Sequence, residues 1–366
     1  MPSRLPKAHR EQMKKLRLSK KKHSETADTP NRITNETVAE HRERILAGGR
    51  RFKYPVQYAR HRLVINTIVI SLVTLIAAAI IIWWQLYPQQ NTSTFFYRIT
   101  RVLPVPVAKI DGQTVPYSDY LIGFRSQEHY LQFKEGVDLY SKENKSQLDW
   151  IKRQALNDAI ADSYAAKLAA KDGITITNNQ INDAMKHQRQ SRDGITSQEA
   201  YDAIVLDHFN WTPGEAREVT TRKLLRQEVA YRIDTIASKQ RDAVVEKLKT
   251  ESDFDKVAAA VAPVGNARVQ PGISPLVPSN NQDGGLAETS SKLAVGQVSL
   301  PFRSTTGDGY YIVKLLQKDN NARLSYAYIK IPLTVFSDQL EKVKSERSKI
   351  SEYISIPQVK APATNQ

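Results

Sequence analysis

The sequence contains no cysteine among its 366 residues, and it has only seven histidines. Disulfide bonds, thiolate catalysis and cysteine metal sites are therefore excluded. No histidine occurs from residue 240 to residue 366, so this stretch lacks the side chain most often used as a general acid or base. The histidines beyond residue 62 show no metal-ligand spacing, and we expect neither a metal ion nor another cofactor.

Most of the chain also has little net charge. Residues 1–62 hold 17 Lys and Arg against 6 Asp and Glu, so eleven of the fifteen net positive charges lie there. The sequence pI of 9.7 therefore describes a basic N-terminal tail. High charge with few aromatic residues favours a largely disordered tail around a short helical stretch. Such a tail can bind nucleic acid or anionic lipid, but we favour a membrane-flanking role and disfavour nucleic acid.

One long uncharged run, residues 63–84, follows the tail. At about 1.5 Å per residue it spans roughly 33 Å, which matches a bilayer core. Trp83, Trp84 and Tyr87 form an aromatic belt at one end, and Arg60 and Arg62 stand at the other. We predict a single-pass cell-membrane protein with a cytoplasmic N-terminus and extracytoplasmic domains, in a bacterial envelope.

A secretory signal peptide is the competing interpretation, because signal sequences are also basic and then apolar. The tail of 62 residues is long for a signal, the apolar run exceeds an h-region, and no small-x-small site follows Trp84. The pattern favours an uncleaved anchor.

Residues 105–239 read as a helical domain that opens with a short hairpin around Asp111-Gly112. Three helix starts carry the capping-box spacing, in which a hydroxyl and a Glu or Gln three residues later satisfy free amides: Thr177 with Gln180, Thr196 with Glu199, and Thr212 with Glu215. Gly and Pro are absent between residues 215 and 251, which predicts one long helix or two abutting helices.

The C-terminal part mixes helix, loop and strand signals. Residues 263–285 are rich in Pro, Gly, Asn and Ser and read as loop. Two alternating strand patterns, "YYIVKLLQ" and "RLSYAYIKIPL", stand on either side of a short turn, and a helix and a polar tail follow. The predicted fold class is α+β.

Two blocks resemble SurA-type and PrsA-type extracytoplasmic chaperones. "VAKIDGQTVPYSDY", "AAKLAAKDGITITNNQINDAM" and "DGITSQEAYDAIVLDHFNWTPGEAREVTTRKLLRQEV" are similar to the N-terminal domain of that family. "AVVEKLKTESDFDKVAAAVA", "GGLAETSSKLAVGQVSLPF" and "GDGYYIVKL" are similar to its parvulin prolyl-isomerase domain. The resemblance implies unfolded or extended polypeptides as partners; it does not imply an oligomeric state.

The first strand of a parvulin domain is missing at its usual place. In that family the first and last strands are neighbours at the centre of the sheet, so "SYAYIKIP" could supply the lost strand from the C-terminal side. The expectation is a small antiparallel sheet that is permuted, and an unrelated hairpin on a truncated domain is the alternative.

The resemblance also assigns candidate site positions. The strand histidines of parvulins fall at Tyr311 and Tyr328, the Cys or Asp position falls near Val264, and a pocket Phe falls at Leu286, with Phe302 beside it. We expect Tyr311 and Tyr328 to be cross-strand partners rather than catalysts.

We therefore expect a chaperone that binds unfolded secreted or envelope proteins, with little or no isomerase activity. An active parvulin-type isomerase and a non-chaperone envelope scaffold are the alternatives. The predicted organisation is a basic tail (1–62), a transmembrane anchor (63–84), a spacer (85–104), a helical chaperone domain (105–239), a parvulin-like domain (240–335) and a C-terminal helix with its tail (336–366).

Overall fold

The computed structural model describes residues 34–191, 194–321 and 323–358. The α+β class expected from the sequence is confirmed, with helices around small antiparallel sheets. The first 33 residues of the basic tail, and the end of the C-terminal tail from residue 359, lie outside the described residues.

The first helix, α1, runs from Asn35 to Leu86. Its part His61–Leu86 has a mean hydropathy of 2.6 and is long and apolar enough to cross a membrane. The expectation of disorder is wrong for residues 35–62, which are helical. A helix adds residues more easily than it starts, so the apolar segment can extend into flanking residues that favour helix.

The helical region follows α1 and begins inside the expected spacer, where α2 occupies Thr94–Val102. A hairpin, a helix with a π-helical turn at Tyr130–Lys134, and four further helices complete it. Its remaining elements are β1 (Pro106–Ile110), β2 (Gln113–Pro116), α3 (Tyr117–His129), α4 (Lys145–Asp172), α5 (Asn178–Gln188), β3 (Gln190–Ser191), β4 (Gly194–Ile195), α6 (Gln198–Phe209) and α7 (Pro213–Ile233).

Local side-chain caps fix the starts of α5, α6 and α7. The capping boxes at Thr177 and Thr212 are both present as predicted. The box at Thr196 is wrong, because the backbone amide of Thr196 donates to Arg189 and is held in the β3–β4 hairpin. Ser197 caps α6 instead, by accepting a hydrogen bond from the amide of Ala200.

The long helix breaks into two at Asp234, which is almost fully buried. One oxygen of its carboxylate accepts a hydrogen bond from the Ala237 amide, at 2.7 Å, and so caps the next helix. The other oxygen accepts from the amides of Thr334 and Val335, which are distant in sequence. A buried carboxylate needs such partners, so the break follows from a long-range contact.

The sheet region contains a four-strand path in the order β5-β9-β8-β7, with β6 also pairing to β9. All pairs are antiparallel. The predicted loop 263–285 thus contains two short strands. The elements are α8 (Thr235–Leu248), α9 (Phe254–Ala259), β5 (Gln270–Ile273), β6 (Val277–Pro278), α10 (Leu286–Ser291), β7 (Phe302–Arg303), β8 (Gly309–Lys318) and β9 (Arg323–Pro332).

Both faces of this sheet are buried. On one face Ile312, Ile329 and Ile331 pack with α8 and α9. The other, which we call the tyrosine face, carries alternate residues of β8 and β9 and packs with α10; its members are Tyr311, Val313, Leu315, Leu324, Tyr326 and Tyr328. The period of two in each strand explains the division.

The end of the chain returns to the helical region. Helix α11 (Val335–Ser345) is followed by β10 (Ile350–Glu352), which pairs antiparallel with β1. Ile354 and Ile356 are buried in the same core as Leu156 of α4. The expectation of a plain polar tail after the last helix is therefore wrong for residues 350–356, because apolar side chains spaced by two can complete a sheet edge.

Candidate functional site

Tyr311 and Tyr328 lie on the two central strands of the sheet, on the tyrosine face. Tyr311 pairs with Lys330 across the β8–β9 ladder, and Tyr328 pairs with Val313. The two residues are therefore diagonal neighbours, and their ring centroids are 6.1 Å apart. This is the separation at which aromatic cross-strand neighbours pack.

The Tyr311 hydroxyl belongs to a hydrogen-bond network around Asp308. It donates to Oδ2 of Asp308 at 2.7 Å, and the Lys330 ammonium donates to the same oxygen at 2.6 Å. The Thr306 hydroxyl donates to the other carboxylate oxygen at 2.7 Å. Asp308 is thus held between the start of β8 and the last residues of β9.

Burial by itself raises the pKa of Asp308, but the hydrogen bonds from Lys330, Thr306 and Tyr311 outweigh it. They hold the pKa of that carboxyl well below its usual range. Burial, and then the hydrogen bond to Asp308, raise the pKa of the Tyr311 phenol. Tyr311 is therefore a neutral phenol whose single proton is held by a carboxylate.

Tyr328 has a different environment. Its ring lies against Gly272 of β5, where a Cβ atom would stand only 2.4 Å from Cζ of the tyrosine. Only glycine fits there without a shift of the ring. The neighbouring Tyr326 donates its hydroxyl proton to Asp283, at 2.5 Å. Tyr328 therefore has a packing role on the tyrosine face, where its ring covers Gly272.

The structure brings four of the five sequence-predicted positions together. Leu286 is buried on the tyrosine face, and Phe302 of β7 stacks on Tyr311 with centroids 6.3 Å apart. Val264 does not join them; it is 47% exposed and bridges to Ala267 in the loop after α9. The candidate site is thus an aromatic cluster beside the hydrogen-bond network of the Asp308 carboxylate.

A cleft of about 770 Å³ shares Thr306 with the carboxylate network of this cluster. Its walls are α5, α7 and the β3–β4 hairpin on one side, and the loops before α10 and after β7 on the other. Ile176, Ala184 and Leu224 give apolar surface, and side-chain amides and hydroxyls make much of the rest. Its volume lies in the range of ligand sites, although polar side chains outnumber apolar ones along its walls.

Side-chain amides bridge the cleft by donating to main-chain carbonyls. The Asn280 amide donates to the carbonyl of Ser191 at 2.7 Å, and the Gln282 amide donates to that of Gln190 at 2.9 Å. The Gln227 amide of α7 donates to the carbonyl of Thr306 at 2.8 Å. These amides therefore recognise backbone and not side chains.

Comparison with known proteins identifies the helical region. Residues 58–230 match the family model of the SurA-like N-terminal domain. Over this range the chain is similar to SurA-like N-terminal domains. A curated relative, the foldase protein PrsA of Caldanaerobacter subterraneus subsp. tengcongensis, is 20% identical over 228 residues, covering 57% of this chain and 72% of the relative. Both findings support a chaperone of the SurA and PrsA type.

The SurA-like domain covers the apolar part of α1 and everything to the last turn of α7. One wall of the cleft, including Ile176, Ala184 and Leu224, therefore belongs to it. The tyrosine face lies beyond residue 230, outside the matched range.

Three residues of the candidate site were not predicted from the sequence: Asp308, Lys330 and Asp283. A signal for the first two was present: Asp308 stands in the turn before the strand, and Lys330 alternates with Tyr328 and so must share its face. Asp283 lies in a Gly- and Asn-rich loop that gives no such signal. Among the described residues, no group of three or more His, Cys, Asp or Glu side chains could hold a metal ion.

Proposed function

We propose that this protein is a membrane-anchored chaperone that holds unfolded polypeptides outside the cytoplasm and does not catalyse prolyl isomerisation. The observation that carries the proposal is the Tyr311–Asp308 hydrogen bond in a chain with a SurA-like domain. The position that the parvulin resemblance assigns to a histidine carries a phenol whose proton is donated to a carboxylate.

Prolyl isomerisation must overcome a barrier of about 20 kcal/mol that amide resonance sets. A catalyst needs polar groups that stabilise the twisted amide in a desolvated pocket. Here the Tyr311 proton is held by Asp308, and Phe302 stacks on the ring. Residues 240–366 offer no histidine in its place. These features support a sheet kept for its shape.

The 770 Å³ cleft is the proposed client site. Its bridging amides already bind the carbonyls of Gln190 and Ser191, which lie in the extended strand β3. A client in an extended conformation offers the same carbonyls whatever its side chains are. Recognition through the main chain, with Leu224 and its apolar neighbours below, suits weak and sequence-tolerant holding.

The membrane anchor is part of the same proposal. The span His61–Leu86 and the excess of positive charge before it support a cytoplasmic N-terminus. The folded part from α2 onward would then face the outside of the cell membrane, where unfolded secreted or envelope proteins emerge.

The sheet order supports a permuted parvulin-like domain. β8 and β9 are the central pair of the order β5-β9-β8-β7, which is where the parvulin resemblance expects the last and first strands. This observation also favours the second candidate function, an active isomerase. The two candidates differ in one measurable property, which is catalysis.

Holding is tested with the full chain in detergent and an aggregating client protein. We expect the chain to suppress aggregation, and Leu224→Glu to weaken suppression because it places a charge on the apolar surface of the cleft. Leu206→Glu is the matched control, since Leu206 is 51% exposed on α6 and outside the cleft. Equal suppression by both variants would exclude the cleft as the client site.

A further inference from the structure

A second cavity, of about 380 Å³, lies at the end of α1. Trp84 and Gln85 line it from the last turn of that helix, and residues 89–92 line it from the following loop. Tyr140 and Lys152 close it from the other side. We call it the helix-end pocket. Neither the cleft nor the tyrosine face shares a residue with it.

The position of the pocket along the helix sets its level in a membrane. The 26 residues of the span extend about 39 Å, which exceeds the bilayer core of roughly 30 Å. The last turn therefore reaches the headgroup layer, where tryptophan is enriched. This step rests on the proposed membrane anchoring.

Lys152 is the cation of the pocket. Its side chain is half-buried in α4, and its ammonium lies 5.9 Å from the centre of the Phe124 ring. It makes no ion pair or hydrogen bond with any residue that the structure describes. Burial lowers the pKa of Lys152, and the carboxylates of Asp149 and Glu128 offset this only in part. A half-buried ammonium without a direct partner favours an anion.

The two nearby carboxylates do not fill that role. No oxygen of Asp149 or Glu128 lies within ion-pair distance of the Lys152 ammonium. Glu128 instead accepts the hydroxyl proton of Tyr140. Lys152 therefore lines the pocket without a carboxylate bound to its ammonium.

Neutral donors surround this single cation. Gln89, Thr92 and the Trp84 indole line the pocket, and side-chain amides can donate to anionic oxygens. The loop that presents them is bent at Gln90, which has a φ of 48° in the left-handed region. The Gln90 amide donates to the carbonyl of Ser355 at 2.8 Å, which fixes the bend.

We propose that the helix-end pocket binds a phosphate group, supplied by the headgroup of a phospholipid in the membrane that α1 crosses. One cation with neutral donors matches a phosphodiester, which carries one negative charge. Free phosphate carries about 1.5 to 2 charges at neutral pH and is compensated less well.

Lipid retention by the full chain tests this proposal. Wild type, Lys152→Met and the control Lys171→Met are purified in one detergent and incubated with phosphatidylglycerol, and bound lipid is measured by native mass spectrometry. Lys171 lies on the same helix, is exposed and does not line the pocket. We expect about tenfold weaker retention by Lys152→Met alone, because one charge-assisted contact is lost.

The variant Lys152→Arg keeps the charge and should retain the lipid, which guards against loss through misfolding. Inorganic phosphate, tested without lipid, separates the two sources. If inorganic phosphate binds in a way that depends on Lys152 but the lipid does not bind, the pocket is a phosphate site and the lipid is overturned as the source of the phosphate group. Equal binding of both ligands by wild type and Lys152→Met would overturn the proposal. Co-sedimentation with vesicles tests the membrane anchor separately. Wild type and Lys152→Met should both sediment, because the anchor does not depend on Lys152.

Discussion

The helical region and the sheet region are both completed by segments from the C-terminal part of the chain, but in different places. In the helical region β10 adds to the edge of the β1–β2 hairpin. In the sheet region β9 is a central strand that pairs with β5, β6 and β8. The core of the sheet region therefore depends on a late segment much more than the core of the helical region does.

Tryptophan position allows the two regions to be followed separately. All four tryptophans, at residues 83, 84, 150 and 211, precede residue 230. Trp150 and Trp211 lie in the helical region and Trp83 and Trp84 in α1, so tryptophan fluorescence reports no part of the sheet region, while the far-ultraviolet circular dichroism reports both regions.

The largest effect is expected from Ile329→Ala in β9. Ile329 is fully buried against α8 and α9, so the substitution should lower the free energy of unfolding of the sheet region by about 3 kcal/mol. Urea unfolding should show an earlier transition by circular dichroism and an unchanged tryptophan transition. A joint shift of both signals would mean that the two regions unfold as one unit.

A smaller effect is expected from Arg153→Met in α4. The Arg153 guanidinium is buried and donates to both carboxylate oxygens of Glu352 in β10, at 2.8 Å. Its loss leaves that carboxylate without its partner and should cost about 2 kcal/mol. The tryptophan transition should move to lower urea. The double variant Arg153→Met/Glu352→Gln should recover part of the loss; no recovery would mean that the arginine acts through its other contacts, such as the hydrogen bond to the Ile356 carbonyl.

Acid should weaken the sheet region through Asp308. Its pKa is lower in the folded state than in the unfolded chain, so the stabilisation is present above about pH 4 and is lost as the pH falls toward the folded-state pKa. The circular-dichroism midpoint of Asp308→Asn should depend less on pH between 5 and 2.5 than that of wild type. Identical pH profiles would show that the network does not couple to folding. The side chain is partly exposed, so we expect a modest effect.

The smallest effect on stability is expected from Gln282→Ala. Its amide donates across the cleft to the carbonyl of Gln190 in an exposed contact, worth about 1 kcal/mol or less. Client holding by this variant should nevertheless differ from that of wild type, because the Gln282 amide occupies a carbonyl of β3 in the proposed client site. Asn144→Ala is the control, since that amide donates to the carbonyl of Asp138 in its own exposed loop and does not line the cleft. Equal holding by both variants would remove the bridge from the account.

Local signals in the sequence predicted much of the helical region. The capping boxes at Thr177 and Thr212 depend on residues within one turn of each other. The β8–β9 hairpin was also predictable, because both strands alternate and a short turn joins them. The pairing of β5 was not, since Pro271 and Gly272 usually interrupt strands. Gly272 is tolerated there because the Tyr328 ring fills the space above it.

Long-range contacts account for the other differences. The break at Asp234 depends on amides a hundred residues later, and β10 depends on β1. The positions of Tyr311 and Tyr328 on one face followed from strand alternation. Their chemistry did not, because Asp308 reaches Tyr311 through a turn whose geometry no spacing rule gives.

Prolyl exchange measured by nuclear magnetic resonance decides whether the protein holds polypeptides without catalysing prolyl isomerisation. The full chain in detergent is added to a short peptide with one Xaa-Pro bond, and the cis-to-trans exchange rate is read from exchange cross-peaks. We predict the uncatalysed rate, on the scale of tens to hundreds of seconds at 25 °C, both for wild type and for Tyr311→Phe. Acceleration by wild type that Tyr311→Phe abolishes would contradict holding without catalysis.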